Sequence, residues 1–461
     1  MSLTLPIYRL TAEEASDVRL IDLAKRIFDL EQDYRLSREN GCLALRGSNQ
    51  VVELASVSGY VWAANHAQLW KPSLRPELPG GAEAAKIAKK WAQDQGLLPK
   101  LAAPFRIGPP TLGGTYYAVL RDGKREDRQL DTQVAFPVFV GDLPVTGGGS
   151  DLTVTLGHQG RVIAFSGGWR QAQQAFESKV IDRKLADQTF LSLTKQMKLE
   201  SFDASLAYFS APAFEAQEFL YPVYVYRATA VFGKQRVPLR QMMLAATEFG
   251  PPLREQVPQP RRAKAARPSV RLLEKQKETK LRRTLATRAL TNPFEAGTSW
   301  IGLSGGLAGS QANAQGFVDE WAAAGWLINF NWGDANAWES DWRRNDDTWV
   351  DAADFVFYTG HANQNGWVLS NPDDGFLDFV EVGANPQSPG DLWGQNDLEW
   401  AVVAACGPLQ DDILAAGGGN VLSRWDGAFD GLHILMGYGA ITFDNSDEGR
   451  RIAQYAKGGS T

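Results

Sequence analysis

Two short apolar runs in the last third of the chain constrain its fold more tightly than any other feature. The first reads Asp354-Phe355-Val356-Phe357-Tyr358-Thr359-Gly360-His361 and ends on an imidazole. The second reads Trp400-Ala401-Val402-Val403-Ala404-Ala405-Cys406-Gly407 and ends on a thiol. A strand with one wet face alternates apolar and polar residues, whereas a strand in a parallel sheet covered on both faces runs apolar throughout. The two runs are therefore expected as strands of one parallel sheet. Functional groups in such sheets sit just past the carboxyl ends of the strands. That reading brings His361 and Cys406 to one edge, and a thiol beside an imidazole is the minimum machinery for a cysteine nucleophile.

The residues around these runs complete an α/β pattern over 297–461. Trp300-Ile301-Gly302-Leu303 reads as a first strand, followed by a loop with Gly305, Gly306 and Gly309. Ala314, Phe317, Val318, Trp321 and Ala322 share one helical face. Trp326–Phe330 and His433–Tyr438 read as further strands, and 448–456 as a last helix. Alternating strands and helices predict a mostly parallel sheet flanked by helices.

Charge separates this region from the rest. Residues 291–461 carry 6 Lys/Arg against 24 Asp/Glu, a net of −18, while 251–290 carry 12 against 3, a net of +9. So acidic a domain repels phosphates, which argues against a nucleic-acid ligand. The domain also holds 11 of the chain's 15 tryptophans. Rings such as Trp332, Trp338, Trp342 and Trp349 among polar neighbours either bind peptides or sugars or close the core. No apolar run of about 18 residues and no charged-then-apolar leader is present, so neither a membrane nor export is expected. Two distant cysteines, Cys42 and Cys406, do not make a disulfide framework and fit a reducing, cytoplasmic setting.

The first 250 residues read as α+β modules, divided at about residue 100. In 1–100, Thr11 and Glu14 form a capping-box pattern before a helix with Leu20, Leu23, Ala24, Ile27 and Phe28 on one face. Strands are expected over 42–45, 51–55 and 60–63, and a second helix over 82–96. In 101–250, strands 152–156 and 161–165 form a hairpin about Gln159-Gly160, and 219–231 with 237–246 form another about Gly233. A helix is expected between them over 177–197. Residues 251–296 are a basic linker punctuated by Pro251, Pro252, Pro258, Pro260 and Pro268.

An apolar strand ending in His, then 45 residues on an apolar strand ending in Ala405-Cys406-Gly407, resembles the caspase–legumain–gingipain superfamily of cysteine peptidases. The resemblance covers about residues 297–461 and implies a caspase-like α/β fold. Cys406 would then attack the scissile carbonyl and His361 would protonate the departing amine. Backbone N–H groups around Ala362 and Cys406 would stabilise the oxyanion. The superfamily usually has Gly where this chain has Ala362, and Ala404 and Pro408 also depart from the caspase pattern. A helix over 408–416 would favour the thiolate through its N-terminus. Asp444 follows the next strand, near where this superfamily builds its specificity pocket, and is the candidate carboxylate for a substrate Arg or Lys. The alternative is an interaction or scaffolding protein that kept the fold without the chemistry.

The stretch through Leu143-Pro144-Val145, Gly147-Gly148-Gly149, Leu152–Leu156 and Trp169-Arg170 is similar to the prodomain modules of metallopeptidase precursors, with 11–64 as their partner module. That implies that the N-terminal region restrains a peptidase whose substrates are peptides or proteins. The linker offers Arg261, Arg262, Arg282 and Arg283 as processing positions. No cluster has convincing metal-ligand spacing, and no cofactor is expected.

Overall fold

The structure, a computed structural model, describes residues 3–29, 34–39, 41–69, 71, 73–121, 124–150, 152–250, 259, 294–370, 374–383, 391–411 and 421–458. The chain divides into two compact units. One comprises residues 1–182, 205–224 and 243–251. The other comprises 183–204, 225–242 and 252–461. Among the described residues no helix is long and apolar enough to cross a membrane.

In the first unit an antiparallel sheet orders its strands Arg35–Glu39, Cys42–Arg46, Gln50–Ala55, Val61–Asn65, Val162–Gly167, Thr153–Leu156, Thr132–Ala135 and Thr111–Gly113. The stretches expected as 1–100 and 101–250 thus share one sheet, because Val61–Asn65 pairs with Val162–Gly167. The hairpin about Gln159-Gly160 forms as expected, with Val154 opposite Phe165. Helix Asp17–Phe28 buries Leu20, Leu23, Ala24 and Ile27 against this sheet's apolar face. Its start differs from the expected capping box. Thr11 ends the strand Thr4–Thr11, and Ser16 caps the helix by accepting the Arg19 N–H at 3.3 Å. The helix expected over 177–197 begins later, as Arg183–Leu193 of the other unit, because Gln171–Lys179 of the first unit pairs antiparallel with Thr4–Thr11.

The second unit is built on a parallel sheet of β1 (Glu295–Trp300), β2 (Leu327–Gly333), β3 (Phe355–Thr359), β4 (Trp400–Ala404) and β5 (Ile434–Gly437), in the order β2-β1-β3-β4-β5. All four pairings are parallel. β1 lies upstream of the expected Trp300–Leu303 strand. Its Gly297, Thr298 and Ser299 look like loop residues, yet Thr298 and Ser299 are fully buried. Gly297 is required there, since a Cβ would sit 2.1 Å from the Phe330 ring.

β3 shows how this sheet is covered. Phe355 and Phe357 face the helices α1 (Ser310–Ala323) and α2 (Glu448–Lys457), with Phe317, Val318, Trp321 and Ala453. Val356 and Tyr358 face a layer in which Trp342, Trp367, Trp393 and Trp425 pack with Ile301 and Phe330, with no long helix among the described residues. Helices therefore flank one face and tryptophans close the other. Trp342 lies edge-on to Trp367 at 5.1 Å, and Trp367 stacks on Trp425 at 5.2 Å. These rings are core, as a sheet of doubly covered parallel strands requires. Val237 and Phe232, from the 225–242 stretch of the same unit, pack into this layer.

Candidate active site

β3 and β4 end in register, with Thr359 opposite Ala404. His361 and Cys406 each follow two residues later, so both stand at the carboxyl edge of adjacent central strands. Both are buried, at 0% and 1% exposure.

The imidazole is held at both nitrogens by backbone. Its Nδ1 accepts the Arg240 N–H at 3.0 Å, and its Nε2 lies 2.7 Å from the Gly305 carbonyl oxygen, to which it donates. These partners require the neutral ring with its proton on Nε2. Burial pushes the His361 pKa down to about 4, and the Arg240 charge acts the same way against the Gly305 bond. Gly305 belongs to a glycine loop that Asp334 pins. The Asp334 Oδ1 accepts the Gly302 N–H at 2.8 Å and the Ser304 N–H at 3.0 Å. A Cβ on Gly305 would meet the His361 ring at 3.2 Å, so the loop approaches as closely as only glycine allows.

The Cys406 sulfur accepts the Thr442 N–H at 3.3 Å. Burial pushes its thiol pKa up, against the Thr442 bond and the Arg240 charge. The helix expected over 408–416 does not begin at Pro408. Residues 407–410 instead make a turn, with Gly407 at φ 72° and the Gln410 N–H on the Gly407 carbonyl at 2.9 Å. Residues 412–416 lie outside the described residues. Cys42 and Cys406 are both thiols.

Ala362 is fully buried opposite Trp367, in a three-stranded antiparallel sheet of 362–363, 366–368 and 376–378. This small sheet occupies part of the β3–β4 connection. Asp444 stands at the N-terminus of α1, where its Oδ2 accepts the Gly309 N–H at 2.6 Å. Burial pushes its pKa up, opposed first by the Arg240 charge. Arg261, Arg262, Arg282 and Arg283 lie outside the described residues.

Sequence reasoning missed the group that joins these parts. Arg240 has a side chain with 0% exposure. Its Nη1 donates to Thr359 Oγ1 at 2.9 Å and its Nη2 to the Phe443 carbonyl at 2.6 Å, and Glu448 Oε2 lies 3.7 Å away. Asn313 Nδ2 reaches the same Thr359 hydroxyl at 3.3 Å and Glu448 at 3.4 Å. Asn313 carried a signal, being a polar residue one turn before Phe317 on the buried stripe of α1. Arg240 carried none.

Among the described residues no group of three or more His, Cys, Asp or Glu could hold a metal ion. A family model described as "Domain of unknown function (DUF6345)" matches residues 294–461. No curated protein matches the chain. Among solved structures it is similar to an uncharacterized protein from Eubacterium rectale, at 12% identity over 53% of this chain and 85% of that one, with a TM-score of 0.32. A score that low carries no argument about fold or chemistry.

Proposed function

We propose that residues 294–461 form a cysteine peptidase of the caspase–legumain–gingipain type, held in a latent state. The observation that carries this reading is the placement of His361 and Cys406, each two residues beyond the matched ends of adjacent parallel strands. The all-parallel order β2-β1-β3-β4-β5 supports the caspase-like fold. In the reaction the imidazole takes the thiol proton and the thiolate sulfur of Cys406 bonds to the scissile carbonyl carbon. The C–N bond breaks as His361 returns the proton to the amine, and water then splits the thioester. Backbone N–H groups at Ala362 and Cys406 are the oxyanion donors of this reading.

The described state is latent for two reasons. The Nδ1 lone pair of His361 is engaged by the Arg240 N–H. Burial also disfavours the thiolate of Cys406. Substrates are peptides or proteins, with basic segments drawn by the net −18 of residues 291–461, an attraction screened beyond about 8–10 Å in physiological salt. Restraint by residues 1–250 and release by cleavage at linker arginines complete the scheme.

The same two observations favour the second reading, a non-catalytic scaffold. An unbiased peptide library, incubated with wild type and Cys406→Ala and read by mass spectrometry, separates them. Cleavage that disappears in Cys406→Ala supports the peptidase. Absence of thiol-dependent cleavage, both before limited proteolysis of the linker and after it, assigns the scaffold.

A further inference from the structure

Residues 235–242 form a strap over the candidate site. Strand Gln235–Pro238 pairs antiparallel with the end of Phe219–Phe232, turning at Gly233. Side chains then tie it down. Asn365 Nδ2 donates to Gln235 Oε1 at 2.9 Å, and Asn363 Nδ2 donates to the Arg236 carbonyl at 3.0 Å. Past Pro238 the backbone runs alongside the segment that follows β5. Gln241 forms a parallel bridge with Phe443, and its N–H reaches the Thr442 carbonyl at 3.4 Å. Thr442 in turn donates to Cys406, while Arg240 donates to His361. The strap therefore contacts His361 directly and reaches Cys406 through Thr442.

An extended segment that adds to exposed backbone and sends one side chain into a pocket is a recurring mode of peptide recognition. The pocket here suits a guanidinium. Its acceptors are the Thr359 hydroxyl, the Phe443 carbonyl and the Glu448 carboxylate, spread around a planar fork. An ammonium would reach fewer of them from one position. The resident fork is not fully satisfied, because the Arg240 Nε has no hydrogen-bond partner among the described residues. The backbone bond at Gln241 is long. Against these, the Leu239 N–H donates to the Ala228 carbonyl at 2.8 Å, so replacing residues 239–241 breaks one short sheet bond besides the long one at Gln241, while the unpartnered Arg240 Nε lowers what the resident side chain contributes.

We propose that residues 239–241 are a built-in occupant of a peptide cleft whose side-chain pocket reads arginine, so that an arginine-bearing extended peptide is the ligand class that replaces them. The meaning of this cleft as a substrate site rests on the peptidase reading, but its occupancy can be measured without catalysis.

The test is iodoacetamide labelling of the full chain, with Cys406 and Cys42 followed separately by mass spectrometry. Cys42, 8% exposed in the other unit, reports general loosening. In Arg240→Ala, labelling of Cys406 is expected to rise at least about tenfold with Cys42 unchanged, equivalent to about 1.4 kcal/mol off local opening. Acetyl-Leu-Arg-Gln-amide should slow it again, and acetyl-Leu-Lys-Gln-amide at equal concentration should not. Arg240→Lys keeps the charge and loses the fork. It should show a smaller Cys406-selective rise that the arginine peptide also reverses. Unchanged Cys406 labelling in both variants, parallel acceleration of both cysteines in Arg240→Lys, or no difference between the peptides would overturn the proposal and make Arg240 a structural ion. Protection without hydrolysis of the peptide would keep the cleft and reject the peptidase. Hydrolysis without arginine-selective protection would do the reverse.

Discussion

Replacing His361 by Gln removes a titrating group while leaving matter for both of its hydrogen bonds. The amide nitrogen can donate to Gly305 and the amide oxygen can accept from Arg240, as the ring nitrogens do. In the folded wild type the ring stays neutral until about pH 4, because burial penalises its charged form. In the unfolded chain it takes a proton below its ordinary value of about 6.5. The neutral ring's contribution is therefore complete above about pH 6.5 and is lost progressively as pH falls toward 4. The gap corresponds to about 3 kcal/mol. Urea unfolding of the full chain reports this through tryptophan fluorescence, since 11 of the 15 tryptophans lie in residues 291–461. The wild-type minus His361→Gln difference in unfolding free energy should fall by about 3 kcal/mol between about pH 7.5 and pH 4. The comparison cancels other titrating groups shared by both proteins. A difference that stays flat across that range would show that the folded ring is charged or solvated, and would refute the buried neutral imidazole.

Two further changes probe the support of the site. Asp351 accepts the N–H groups of Gly394, Asn396 and Leu398 at 2.7, 3.0 and 3.2 Å, so Asp351→Ala should cost at least about 3 kcal/mol in urea unfolding, at about 1–3 kcal/mol for each stranded amide. Burial also pushes its pKa up to about 6, so its carboxyl favours the fold below its ordinary range and loses that contribution as pH rises through 6, opposite in sign to His361. Trp342→Ala should cost about 3–5 kcal/mol by the same assay, because the ring is fully buried between Trp367, Trp393 and Tyr358. A loss below about 1 kcal/mol would mean the tryptophan layer is a surface and not a core.

The sequence by itself determined the central strands and the imidazole and thiol that follow them. Phe355–Thr359 and Trp400–Ala404 are apolar at nearly every position because both faces of the sheet are covered, and that pattern needs no knowledge of what covers them. The last helix and the hairpins were equally legible, since their periodicity and turn glycines are local. β1 was displaced because Gly297 is small for a packing reason that lies on another strand, the Phe330 ring, and because Thr298 and Ser299 are polar yet fully buried. Only the tertiary structure decided the state of the site. Arg240 meets Thr359, His361 and Phe443 across sequence separations of 119, 121 and 203 residues. No local pattern encodes such a meeting. A buried guanidinium is stable only where the fold brings acceptors and carboxylates around it, so its position is a property of the assembled unit. The same holds for the imidazole. The residues past β3 supplied the ring, and the glycine loop with the strap decided that it is neutral, buried and bonded at both nitrogens.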